Sequence, residues 1–319
     1  MKSVTIKRYN TSKKKEWDLF IDDNNPFTFL FYRDYMDYHS NRFTDYSLMI
    51  FQDATLIALF PANISDETII YSHQGLSYGG LIYDPSKWNG LIEKTIYQGI
   101  IDYFKTILIS KISIKIPPHF YGLHMERQIN ILSAVGADVQ KSFLSMAANM
   151  EPPLKIHKSK YKRYRKRKQK NEFTIKDDND FKVFWNQVLT PCLEEKYQSK
   201  PVHELDEILE LHRCFPKNIV QWNLYFENKI IAGITIFFKN DIIRSQYGAT
   251  RLGYEAFAPL DYLYIYLFEF YYTKGIKIFD MGSIPPNDDL SYPEGLVNYK
   301  KELGCDTHTQ NQYVFIYAN

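Results

Sequence analysis

The sequence predicts an α/β protein, with mixed α+β sheets, in which one design is written twice in succession. Three observations predict it. Each half carries an antiparallel hairpin, a further strand, a helix and another strand in that order. Short matching runs recur at corresponding points of the two halves, and a proline pair followed by a block of cations separates them. At 319 residues, 45% hydrophobic and 24% charged, the chain has room for two ordinary globular domains.

In the first half an amphipathic helix over 26–40 precedes SLMIFQD (47–53) and TLIALFPAN (55–63), which form the hairpin. TIIYSHQG (68–75) is the third strand, followed by a helix near Lys87–Leu108, the strand KISIKIPP (111–118) and a helix over 122–135. In the second half a helix over 203–214 precedes the hairpin 223–238, which turns at Glu227-Asn228. DIIRSQYGAT (241–250), a helix near Pro259–Lys274, KIFDMGSIPP (277–286) and a helix over 295–303 complete the pattern. Ile57-Ala58 matches Ile231-Ala232, Ser72-His73-Gln74-Gly75 matches Ser245-Gln246-Tyr247-Gly248, and both final strands end Ile-Pro-Pro. Each half therefore reads β-α-α-β-β-β-α-β-α-β.

Glu151-Pro152-Pro153 closes the first half, giving expected domains 1–154 and 173–319 around a basic linker or helix, 155–172. Ten of the sixteen residues from Lys155 to Lys170 are Lys or Arg, leaving 29 basic against 37 acidic residues elsewhere. Such blocks are usually solvated faces. Lys158, Lys162 and Lys166 repeat every four residues, as one helix face would, and with Tyr161 and Tyr164 they suit nucleotide or tRNA phosphates.

The N-terminus has no apolar signal region, and no stretch of 18 apolar residues appears. The most apolar segment, Leu260–Tyr272, is short and interrupted by Asp261 and Glu269. Cys192, Cys214 and Cys305 are scattered, without metal-ligand spacing. A cytoplasmic protein with no membrane insertion and no metal is expected. Cys192 and Cys214 lie on expected helices among apolar neighbours, which suits buried structural thiols.

The runs FLFYRDYMDYHSNRFTDYSL, SHQGLSYGGL, KPVHELDEILELHRCFPKNI, SQYGAT, PLDYLYIYLFEF, FDMGS and EGLVNYKKELG, spread over nearly the whole chain, resemble the FemAB-like tandem GNAT family. The resemblance implies two tandem GNAT-type domains packed side by side. In each, strands four and five splay and leave a cleft for an acyl thioester. One branch of that family takes aminoacyl groups from tRNA to peptidoglycan-type amines. The other takes acyl groups, acetyl or 3-hydroxybutyryl, from coenzyme A to nucleotide-linked amino-sugars such as dTDP-3-amino-3,6-dideoxyhexoses. The absence of a coiled-coil insertion favours the second branch, with the first as alternative, and neither needs a metal. A shell that binds glycan or nucleotide without catalysis is a further possibility.

Aminolysis of a thioester needs a deprotonated amine, stabilisation of the developing oxyanion and alignment, with no covalent nucleophile. His73, at a strand end, suits a base or substrate contact, and Gln74 beside it a substrate contact; a polar strand-end residue is the plainer role. Asp280 ends the fifth strand of the second half and suits a base or amine-positioning role; capping the next loop is the alternative. Gln246 or Tyr247, but by alternation not both, would face the same cleft. Tyr247 then suits protonation of the departing thiolate, a role the resemblance implies, unless it packs in the core.

Coenzyme A would lie on the backbone of Arg251, Gly253, Ala256 and Ala258, before a helix N-terminus. That loop has one glycine where the family's pattern has two. The resemblance also points to Lys300 as a substrate contact. Tyr35, His39 and Arg42, at i, i+4 and i+7, would clamp a diphosphate or sugar from one helix face, or form a solvated face.

Overall fold

The computed structural model describes residues 4–24, 28–83, 90–122, 124–239 and 241–317. The chain forms two compact units, Met1–Leu144 with His308–Asn319, and Ser145–Thr307. The basic run thus lies within the second unit.

In the first unit, β1 (Val4–Arg8) is followed by α1 (Lys14–Asn24), α2 (Arg33–Asp37) and the short β2 (Thr44–Asp45). β3 (Leu48–Gln52) and β4 (Thr55–Phe60) form the expected hairpin, turning at Asp53 and Ala54 with φ of 46° and 66°. β1 pairs antiparallel with β3, completing a three-stranded sheet. The run 55–63, expected as one strand, breaks at Pro61, whose nitrogen has no hydrogen to give a ladder. The chain resumes as β5 (Asn63–Ser65), which pairs with β2 and with β6 (Ile69–Ser72).

α3 (Gly90–Thr106) carries the crossover to β7 (Lys111–Lys115), parallel to β6 from Ile69↔Lys111 to Ser72↔Ile114. The expected start of that helix, 87–89, lies outside the described residues. α4 (His124–Ala134) and β8 (Asp138–Asn149) follow. The end of the β6–β7 pair is closed: past Ser72 the chain loops back, and Gly79 N–H donates to Lys115 O at 2.8 Å. A side chain has no room there, since a Cβ on Gly79 would stand 1.6 Å from Ser72 O.

In the second unit, α5 (Lys158–Gln169) and β9 (Thr174–Lys176) lead to α6 (Phe181–Phe184), a π-helical turn, α7 (Thr190–Tyr197) and α8 (Leu205–Cys214). A Glu204/Glu207 capping box starts α8. β10 (Ile219–Phe226) and β11 (Lys229–Lys239) turn at Glu227-Asn228, both left-handed, as expected. β12 (Ile242–Thr250) adds antiparallel to β11. α9 (Pro259–Tyr272), apolar nearly all round and largely buried, crosses over to β13 (Ile278–Ile284). α10 (Glu294–Glu302) and β14 (Cys305–Ile316) finish the chain. β14 returns to the first unit, where Gln312–Ile316 pairs with β7.

The basic run is mostly helix α5, clamped to α9 by two carboxylates. Lys160 Nζ lies 2.9 Å from both oxygens of Asp261, and Arg163 2.5 Å from one. Two turns on, Glu269 accepts from Tyr164 at 2.6 Å and Lys168 at 2.7 Å. Lys158, Lys162, Arg165 and Lys166 fall together on the opposite, exposed face of α5.

Replacing Gly79→Ala is expected to cost about 3 kcal/mol through this backbone clash, measured by urea denaturation. An unchanged midpoint would mean that the loop does not close the β6–β7 end as described.

Candidate active site

In the second unit the parallel pairing of β12 with β13 lasts three residues, Ile242↔Ile278 to Arg244↔Asp280. β12 runs on to Thr250 and β13 to Ile284, so the strands part beyond that rung. This is the splay of strands four and five that the family resemblance implied. The register of β11 with β12 slips at the same place: Thr235 faces Tyr247 but Ile236 faces Ser245, leaving Gln246 as an extra residue. The bulge lets Ser245 and Gly248 both meet α9. Ser245 Oγ lies 2.9 Å from Tyr264 OH, and a Cβ on Gly248 would come within 2.6 Å of that hydroxyl.

The fork of the splay is charged. Arg244 donates to Asp280 Oδ2 at 2.6 Å, and Gly282 N–H donates to Asp280 Oδ1 at 2.7 Å. Asp280 is fully buried. With both oxygens engaged it fits the positioning of Arg244 better than the expected base role. Gln246 Oε1 sits 3.4 Å from Arg244 Nε. Lys300, reaching from α10, is buried and donates to Met281 O at 2.7 Å, not solvated as a surface helix lysine would be. Burial pulls its pKa below the usual lysine value, against the opposing pull of Cys305 and Asp280. Asp280, Gln246 and Lys300 are thus brought together, with Arg244 between them.

Tyr247 is turned elsewhere. Its hydroxyl accepts from His203 N–H at 3.0 Å and lies 2.5 Å from His203 Nδ1, and its ring meets Trp185 edge-on at 5.2 Å.

The loop expected to cradle coenzyme A leads into α9 beside a cavity of about 410 Å³, lined in part by Lys160, Arg163, Lys196, Glu255, Ala258 and Asp261. Only Ala258 of the four expected residues lines it. Arg251 instead donates to Gln187 Oε1 and Ile230 O, both at 3.2 Å. Gly253 has φ of 84°, and Ala256 lies exposed in a short 3-10 turn. At the helix terminus Lys160 and Arg163 are paired with Asp261, and Lys196 with Glu255.

In the first unit His73 and His39 stack, with ring centroids 5.4 Å apart and planes 8° from parallel. Both are buried, and burial pulls their pKa values down to about 3 and about 4. An imidazole of such low basicity is poorly matched to an ammonium proton. Gln74 exchanges hydrogen bonds of 2.8 Å with Asn63. His73 and Gln74 line a polar cavity of about 240 Å³ with Tyr71, Ser113, Lys115 and Gln312.

The expected helix 26–40 is replaced, among the described residues, by the five-residue α2, with 25–27 outside them. Turns follow Asp37, so Tyr35, His39 and Arg42 share no helix face: the first two are buried and Arg42 is exposed. Cys214, expected to be buried, is exposed, because it ends α8 on the solvent side beside Glu210. Among the described residues no group of three or more His, Cys, Asp or Glu is placed to hold a metal, and no helix is long and apolar enough to cross a membrane.

Arg244, Lys160, Arg163 and Asp261 were not singled out from sequence as site residues. One signal was present: an arginine or aspartate within an apolar run needs a charged partner if the run is buried.

The low pKa values of both histidines make stability depend on pH. Their neutral forms fold best, so this contribution is complete above about pH 6.5 and is lost as pH falls towards 4 and below. The double variant His39→Gln/His73→Gln is expected to flatten the stability curve across that window, by up to about 1.4 kcal/mol per pH unit for each histidine. Equal slopes in wild type and variant would contradict neutral burial.

No protein-family model matches this sequence, and no curated protein does. Solved structures do. FemX superposes with TM-score 0.72 at 10% identity over 98% of this chain and 97% of that one. L-PGS from Bacillus licheniformis gives 0.60 at 11% identity, covering 95% and 91%. A tandem GNAT protein from the clavulanic acid biosynthesis pathway gives 0.52 at 8% identity, covering 99% of each. The chain therefore has the fold of FemX and the tandem GNAT proteins.

Proposed function

We propose that this protein transfers an acyl group onto an amine at the fork of β12 and β13, and that the acyl group arrives as an aminoacyl ester of tRNA. The observation that carries the donor assignment is the deployment of charge on α5. Asp261 and Glu269 bind its inner cations, while Lys158, Lys162, Arg165 and Lys166 stand exposed on the other face. Residues one helical turn apart are about 6 Å from each other, comparable to successive phosphates of a nucleic-acid strand. The Fem branch of the family that the sequence resembles uses such donors.

In this reading the amine nitrogen attacks the ester carbonyl carbon, the tetrahedral oxyanion collapses, and the bond to the tRNA ribose oxygen breaks. The proton lost by the amine ends on that oxygen. Lys300 lowers the pKa of an amine beside it and so favours the attacking neutral form. Lys300 and Arg244, whose charge Asp280 already offsets, donate hydrogen bonds to the oxyanion as it develops. Asp280 acts through Arg244 as a positioning residue.

A second reading is the coenzyme A-dependent acylation of a nucleotide-linked amino-sugar. It is favoured by the tandem GNAT neighbour, a protein solved in a form without AcCoA.

Titration with bulk tRNA over a salt series tests the donor assignment. Wild type is expected to bind with an affinity that falls steeply with salt. Replacing Lys158, Lys162, Arg165 and Lys166 together by Gln is expected to weaken binding at least about tenfold and flatten the log–log salt slope by up to about 3. An unchanged slope, or no binding at low salt, would contradict it.

A further inference from the structure

A carrier such as coenzyme A is held in this fold class by its diphosphate, at a helix N-terminus where unpaired N–H groups and the helix dipole favour negative charge. In the second unit that place is the start of α9, and the chain's own carboxylates already stand there. Pro259 is the first helical residue and has no N–H to offer. Asp261 follows in the first turn, 5% exposed, with Lys160 on both of its oxygens and Arg163 on one. In the loop just before the helix, Glu255 pairs with Lys196 at 2.7 Å. Lys196 and the backbone N–H groups of Glu255 and Gly253 together hold the Glu255 carboxyl below its usual range.

The three cations that line the 410 Å³ cavity are Lys160, Arg163 and Lys196, and each is matched to a carboxylate lining the same cavity. An incoming diphosphate would have to compete for these cations and leave the buried Asp261 without its charged partners, which is costly. The first unit repeats the arrangement with different residues. α3, which corresponds to α9, carries Glu93 in its first turn, fully buried and 2.9 Å from Arg127.

We infer that Asp261 and Glu255 are specificity residues that exclude diphosphate-anchored acyl carriers from the second unit by occupying the diphosphate's own place. This deepens the proposed function and rests on it for the identity of the site as the donor site. It adds a reason why a donor such as an aminoacyl ester, whose phosphates can be met along α5, enters where coenzyme A does not.

The test is calorimetric titration of the full-length protein with coenzyme A, and separately with inorganic pyrophosphate. The proteins are wild type, Glu255→Gln and Asp261→Asn, each checked for folding by its melting curve. Wild type is expected to bind coenzyme A more weakly than about 1 mM. Glu255→Gln, at an exposed position that leaves Lys196 free, is expected to gain at least about tenfold, and Asp261→Asn more. If Asp261→Asn fails to fold, Glu255→Gln alone decides.

Micromolar binding of coenzyme A by wild type would overturn the inference, as would folded variants that gain nothing for either probe. The tRNA titration is independent of both outcomes. Loss of tRNA binding with coenzyme A still excluded would sink the donor assignment alone. Variants without gain but with tRNA binding intact would sink only the carboxylate inference.

Discussion

The hydrogen-bonded ion pair between Arg244 and Asp280 is the constraint on which the second unit's site depends. It sits on the last shared rung of β12 and β13, so it marks where two parallel strands stop being partners. Removing one member of a buried pair of this kind is costly, since the survivor would be an uncompensated charge. The bulge at Gln246 supplies the complementary condition: one extra residue bends β12 away and turns Ser245 and Gly248 towards Tyr264. The cleft is therefore held open by a local register fault and held together at its base by charge. Lys300, fixed on Met281 O, adds a second cation to that base.

α9 connects this chemistry to the outside of the unit. It is an apolar, buried helix, yet it carries Asp261 near its start and Glu269 two turns on. Both acids face α5, which explains how so basic a helix can lie against a core element. The inner cations of α5 satisfy the acids of α9, and its outer cations remain for solvent or a polyanion. Packing and charge balance are thus served by one pair of helices. The closed β6–β7 end of the first unit, sealed by Gly79, shows the same starting design without an open fork.

Much of this was legible in the sequence because period and turn chemistry are local. The hairpin at Glu227-Asn228, the strand IIRSQYGAT and the crossover into FDMGS follow from alternation and left-handed turn residues, and the structure has them. What was not legible depends on partners far away in the chain. Tyr35, His39 and Arg42 have helical spacing, but the helix stops at Asp37, and His39 lies in a buried stack with His73, 34 positions later. Alternation sent Gln246 and Tyr247 to different faces, as the structure has them, but could not foresee the bulge that brings both Ser245 and Gly248 to α9. Asp261 stood out only as an interruption of an apolar run. Its role needed Lys160 and Arg163, which lie about a hundred positions away in the run expected as a basic linker or helix.

The most direct test of the central claim uses hydroxylamine as a generic amine acceptor, with bulk aminoacyl-tRNA or acetyl-coenzyme A as donor, and measures acyl hydroxamate formed under single-turnover conditions. The account predicts protein-dependent hydroxamate from aminoacyl-tRNA, lost in Asp280→Asn while tRNA affinity is kept, and none from acetyl-coenzyme A. Hydroxamate from acetyl-coenzyme A alone, or none from either donor, would contradict it.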